Sequence, residues 1–191
     1  MRGVVAVKTY VRAVVRDKDG RVIRDTGWRR TNTLTKNFYA FLRCAMEREN
    51  TPCVREDGTV GTIETPYNGN HYFMELYTSA GDDGEGIVVG TGTTEPTRND
   101  HALESKIPHG TEAGQLYYYE CHVEHGDDYV QASRTFENLS GADITISEVG
   151  LLAEYYDVDA AAYRSALIAR SLYTVTVPDG GSVTLYYRIS G

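Results

Sequence analysis

From residue 87 onward the chain is a succession of β-patterned runs separated by polar turns, and this constrains its fold more than any other feature. The runs cover residues 87–90, 115–125, 129–137, 144–156, 166–177 and 182–190. Asp127-Asp128 and Asp179-Gly180-Gly181 lie between neighbouring runs with hairpin-turn chemistry; the clearest case is VTVP, DGG, SVTLYYRI. Several strands of about 8–12 residues with short polar turns predict an all-β fold: an antiparallel, jelly-roll-like β-sandwich. Tyrosine usage agrees, with 15 Tyr against 4 Phe and 1 Trp. A tyrosine ring suits a strand or an interface, because it buries area while its hydroxyl stays wet. A chain of 191 residues fits one large domain, or a domain with an arm. It can hide roughly 70% of its unfolded surface, so it needs no covalent staples. Its three cysteines, Cys44, Cys53 and Cys121, are odd in number and far apart. No disulfide framework is expected, and synthesis in a reducing cytoplasm is.

The first thirty residues read differently. Val5, Val7, Thr9, Val11, Ala13 and Val15 alternate with Lys8, Arg12 and Arg16, the pattern of a strand over 3–16. Asp17-Lys18-Asp19-Gly20 supplies a hairpin turn, and 21–25 would return. Residues 1–30 are therefore expected to form a basic N-terminal β-ribbon or arm, and residues 31–191 a single sandwich domain. Residues 1–48 carry a net +8 and the remainder −16, within a chain of net charge −8. Such asymmetry suggests electrostatic contact between the two parts, within or between subunits. The interface candidates are Val5, Val7 and Val11, with Lys8, Arg12 and Arg16 setting register by charge. β-augmentation through the ribbon's free edge is the expected mode. Nucleic acid is a less favoured partner, because the cations are spread through strand sequence with no dense run. Charged residues interrupt the N-terminal apolar stretch, and no run approaches ~18 apolar residues, so neither a signal peptide nor a membrane partner is expected.

One helix is expected near 35–48, within a candidate span of 33–49. Phe38, Phe41, Leu42 and Ala45 make a single amphipathic stripe, Thr33 or Thr35 can cap its start, and Pro52 lies beyond its end. Residues 50–70 mix Pro, Gly, Asn, Asp and Thr and read as a long loop. A short strand over 71–78 and a turn-rich loop over 79–86 follow.

Motifs for chemistry are weak. Gly90-Thr91-Gly92-Thr93-Thr94 lacks the lysine of a phosphate loop and is followed by Pro96, not by a helix. Its glycines read instead as ending a strand in a tight turn. His122 and His125 point to opposite faces of a strand and cannot share an ion without a bulge. Asp82, Asp83 and Glu85 are a loop cluster of calcium-type ligands without EF-hand spacing. Glu148 interrupts the apolar run ITISEVGLLA; a buried carboxylate satisfied by Arg or backbone donors is the plainer reading, and a catalytic pairing with Asp143 or Glu154 the alternative. No catalytic residue and no cofactor are expected.

Four blocks resemble small virion structural proteins of tailed bacteriophages and related viruses, a tail-fibre or tail-tip-like family. They are NTLTKNF from Asn32 with the helix after it; GIVVGTGTTEPTRNDHAL from Gly86, continuing to Ile107; FENLSG from Phe136 with ITISEVGL; and ARSL from Ala169 with the terminal hairpin. The second block is the most specific. The resemblance implies a β-sandwich subunit of a symmetric particle, made in the host cytoplasm and located in the virion. Its partners would be copies of itself, as a homo-oligomer, and other virion proteins. The chain has no repetitive fibre shaft, which leaves capsid, decoration, neck and tail positions open. The alternative is a receptor- or carbohydrate-binding tail-tip module. In the second block Gly90, Gly92, Pro96, Asp100 and Leu103 are read as a shaped connector: glycines end a strand, Pro96 stiffens the crossing, Asn99 or Asp100 caps a turn, and Leu103 and Ile107 re-enter the core.

Overall fold

The computed structural model describes residues 7–31, 34–68 and 71–191. In chain order the elements are β1 (Lys8–Arg16), β2 (Val22–Asp25), β3 (Arg29–Thr31), α1 (Lys36–Glu47), β4 (Thr51–Val54), β5 (Val60–Ile63), β6 (Phe73–Glu75), β7 (Gly86–Gly90), β8 (Tyr117–His125), β9 (Tyr129–Glu137), β10 (Ile144–Asp157), β11 (Ala162–Val177) and β12 (Ser182–Ser190). They form two six-stranded antiparallel sheets. The first runs β2-β1-β12-β9-β8, with β3 also on β1; the second runs β11-β10-β5-β4, with β6 and β7 also on β10. The protein is thus a mostly-β, antiparallel sandwich with one short helix.

Period-2 burial builds the first sheet. Thr9, Val11, Ala13 and Val15 of β1 face inward beside Val183, Leu185 and Tyr187 of β12 and Ala132 and Phe136 of β9. The long hairpin β10–β11 departs from alternation: every residue from Glu148 to Ala153 and from Ala166 to Ser171 is buried. Both faces of these segments are covered, as in sheets with layers on each side. The first sheet covers one. α1 and the segment after β7 cover the other, bringing Leu103 against Gly150 and Phe41 edge-on to Tyr155 at 5.7 Å.

Residues 7–30 are not a detached arm. β1 pairs with β12 over nine residues, from Lys8↔Ser190 to Arg16↔Ser182, and its other edge is taken by β2 and β3. It is an interior strand with no edge to offer. Val11 is 0% exposed, so it is core and not interface. Val7 is exposed, and Val5 lies outside the described residues. The hairpin turn forms where the sequence placed it: the Asp17 carboxylate accepts the N–H groups of Asp19 and Arg21, and Gly20 takes φ +78°.

α1 is rotated from the expected stripe. Its buried residues are Asn37, Phe38, Phe41 and Cys44, while Leu42 faces out. The cause is Asn37, whose amide donates to the Val54 and Leu167 carbonyls and accepts the Val54 N–H at 2.9 Å, pinning the helix to β4 and β11. Thr35 stands at the N-cap, but its hydroxyl donates to the Leu167 carbonyl and caps nothing; Thr33 lies outside the described residues. The expected loop over 50–70 contains the β4–β5 hairpin, closed by Asp57 and Gly58. Pro52 sits on β4, an edge strand, where a missing N–H is tolerated.

Candidate functional site

The connector starts as β7, all five residues of which are buried on β10 in the register Glu148↔Gly90 to Leu152↔Gly86. The chain then leaves the sheet and returns, with the Thr91 N–H donating to the Ser105 carbonyl and the Ile107 N–H to the Val89 carbonyl. Leu103 and Ile107 re-enter the core. The excursion between is held down by buried charge. Glu148, 0% exposed, accepts the N–H groups of Gly92 (3.1 Å), Ser105 (2.8 Å) and Glu104 (3.1 Å), and Nε of Arg170 at 2.7 Å. Arg170, 3% exposed, donates Nη1 to Asp100 at 2.8 Å and Nη2 to the Thr94 carbonyl and hydroxyl at 3.2 Å. Glu104 closes the far side by accepting the N–H groups of Thr93 (2.6 Å) and Thr94 (2.8 Å). A buried ion pair of this kind stays favourable only with its remaining lone pairs and protons satisfied, and here they are.

The glycines serve this latch by being small. Neither Gly90 nor Gly92 has positive φ, so turn conformation does not demand them. A Cβ at Gly90 would fall 2.5 Å from Oε1 of Glu148 and from the Ser105 carbonyl, and one at Gly92 would meet Glu148 and Glu104. Asp100 does fix a turn, accepting both the N–H and hydroxyl of Thr97. Burial pushes the Asp100 carboxyl up, but the Thr97 bonds and Arg170 outweigh it and hold it below its ordinary range. The N–H of Thr94 draws Glu104 down likewise. Pro96 is half-buried along the crossing.

Sequence reasoning missed two further polar centres. Arg134, 1% exposed, donates to the carbonyls of Tyr119 (2.7 Å), Glu85 (2.9 Å), Ile87 (3.1 Å) and Asp82, and its guanidinium lies over the Tyr118 ring. It organises the loop before β7. Asp157, fully buried, accepts Nε of Arg55 at 2.7 Å, the Tyr155 hydroxyl and the N–H groups of Thr62, Asp159 and Ala160, tying the β4–β5 hairpin to β10. The signal for both Arg170 and Arg134 was present: a cation at an inward position of an apolar strand.

The remaining candidates disperse. Arg12 is paired with Asp25, which it holds down to about 2, and Arg16 donates to the Gly20 carbonyl. Lys8 is half-buried opposite Ser190. Asp82 accepts the Gly84 N–H and Asp83 the His109 N–H, each shaping its own loop. Glu85 turns inward beside Glu154 and Glu75, its Oε2 buried without a hydrogen-bond partner among the described residues. Asp143 lies elsewhere, accepting the Asp179 N–H, so Glu148, Asp143 and Glu154 do not converge. His122 faces Glu120. Among the described residues no group of three or more His, Cys, Asp or Glu side chains is placed to hold a metal ion.

Among the described residues, one end of the sandwich is open. There the inner face of the first sheet runs past the second, leaving an apolar groove of about 560 Å³ between Phe38 of α1, Phe73–Glu75 of β6, and Val123, Val130 and Ile189. It continues past Leu42 and Val7 to the turn at Asp127 and Asp128. Comparison with models of protein families, with curated proteins and with solved structures returns no match.

Proposed function

We propose that the protein is a non-enzymatic virion structural subunit that assembles through protein–protein contacts into a symmetric component of a viral particle. The observation that carries this reading is the construction of the connector. It is the most specific block of the resemblance, and buried Glu148 and Arg170 bind its backbone N–H groups and Asp100, which fixes it as an outer layer on the sheet. The open apolar end supports the same reading, because a contiguous exposed patch of this kind marks an interaction surface. The test is the mass of the purified chain in solution together with negative-stain images. Rings, shells or tubes are expected; a monomer at all concentrations overturns the proposal.

A second reading, a carbohydrate-binding tip module, is favoured by one surface cluster. His71 stacks on Tyr156 at 3.8 Å, and exposed Tyr72 and Tyr163 lie 5.2 Å apart beside it. Glu64 bonds the His71 ring. Aromatic faces next to polar groups suit sugar rings. Binding to immobilised glycans that is lost in Tyr72→Ala would establish it.

A further inference from the structure

The two ends of the first sheet are unlike. At one end lies the apolar mouth, whose floor is formed by Phe38, Leu42, Val123, Val130 and Ile189. Val123 and Val130 face the sandwich interior, yet are exposed, Val130 at 47%, because the second sheet stops short of them. Among the described residues the acidic side chains lining this mouth are Glu75, Asp127 and Asp128, and neither Lys nor Arg lines it. At the other end, nine strand residues or about 30 Å away, the β1–β2 hairpin projects. Its β2 strand begins with Val22 and Ile23, exposed at 52% and 56%, flanked in sequence by Arg21 and Arg24. Two exposed aliphatic side chains, flanked by Arg24 and by Arg21, whose guanidinium lies 3.8 Å from Asp19, match an apolar mouth with carboxylates on its margin. The matching parts lie too far apart to meet within one molecule.

We propose that copies of this chain associate head to tail, the Arg21-Val22-Ile23-Arg24 segment of one entering the open apolar mouth of the next. The inference rests on the assembly reading above and names its contact. Such an interface is heterologous: each subunit donates at one end and accepts at the other, so the contact closes into a ring or continues as a filament. Burial of Val22, Ile23 and the mouth supplies the affinity, while Arg21 and Arg24 facing Glu75, Asp127 and Asp128 select partner and orientation.

Two variants test it: Val22→Asp/Ile23→Asp disables the hairpin, and Val130→Asp disables the mouth. All three positions are exposed, so each variant should melt close to the wild type. Light scattering coupled to size exclusion at about 100 µM should show oligomers for the wild type and monomers for each variant alone. An equimolar mixture should give heterodimers and nothing larger, because only one good hairpin and one good mouth remain per pair. Wild-type oligomers with variants that still assemble would overturn the head-to-tail contact and leave the assembly reading standing. So would two monomeric variants that fail to pair when mixed. A wild type that stays monomeric would overturn both and assign the mouth to an occupant other than a second copy.

Discussion

Glu148 collects four donors, three of them connector N–H groups and the fourth Nε of Arg170. Removing it strips three connector N–H groups of their acceptor and leaves the buried Arg170 guanidinium with Asp100 and Thr94 alone, so Glu148→Ala is expected to cost ~3–5 kcal/mol. In a chain of this size that lowers Tm by roughly 10–15 °C, measurable by circular dichroism. Gly90→Ala should weaken the same latch, since its methyl would collide with Glu148 and the Ser105 carbonyl. A second carboxylate works in the opposite sense. Burial, then the charges of Glu154, Asp82 and Glu75, push Glu85 up to about 7, against a smaller opposing pull from Arg134. The folded state therefore holds a proton that the unfolded state releases near 4.5, and stability falls as pH rises from about 4.5 through about 7. Glu85→Gln should raise Tm at pH 8 and flatten its decline between pH 5 and 7. Asp100 and Glu104, both held low, contribute stability that is present above the ordinary carboxylate range and lost in stronger acid. The wild type should thus lose stability on both sides of an acidic optimum, and the variant less steeply on the neutral side, where burial holds Glu154 up as well.

Among the elements, α1 separates what pattern can decide from what packing decides. Period and capping residues placed a helix near 35–48, and α1 spans Lys36–Glu47. Its buried face lies about one position away from the expected Phe38, Phe41, Leu42 and Ala45 stripe because Asn37 satisfies the backbone of β4, a partner seventeen residues on that no helical wheel contains. Asn37→Ala should cost ~1–3 kcal/mol by leaving Val54 groups unpaired. Leu42→Ala should cost well under about 1 kcal/mol; urea unfolding of the two variants would reverse the order if the expected stripe were the anchor. The long strands β8 to β12 were legible because their alternation and turn residues are local. The β4–β5 hairpin was not, as its four-residue strands are hidden among Pro, Gly and Asn. Glu148 stood out as a charge inside an apolar run. Arg170, in ALIARSLY, carried the same signal, but its pairing with Glu148 joins residues 22 apart across a hairpin and emerges only from register.

For the whole molecule, the decisive point is where β1 sits. A detached basic arm could be removed to leave a soluble domain, but β1 lies between β12 and the β2–β3 edge. Deleting residues 1–30 would strip Val11, Ala13 and Val15 from the core and expose the flank of Val183, Leu185 and Tyr187. It would also remove Arg12 and Trp28, which pack around Tyr186 on the outer face, and leave Arg188 with only Tyr129 of the two rings that sandwich it. Losing the Val11 and Val15 side chains and the strand that carries them amounts to several kcal/mol, comparable to the roughly 5–15 kcal/mol that holds a domain together. The truncated chain is therefore expected to lose its cooperative melting transition and to aggregate through the new β12 edge. The two-residue change Val22→Asp/Ile23→Asp, by contrast, should keep the full transition. Near-UV circular dichroism on heating distinguishes the cases: a sharp transition at an unchanged temperature in the truncated chain would mean that β1 contributes nothing to the core and that the sheet closes without it.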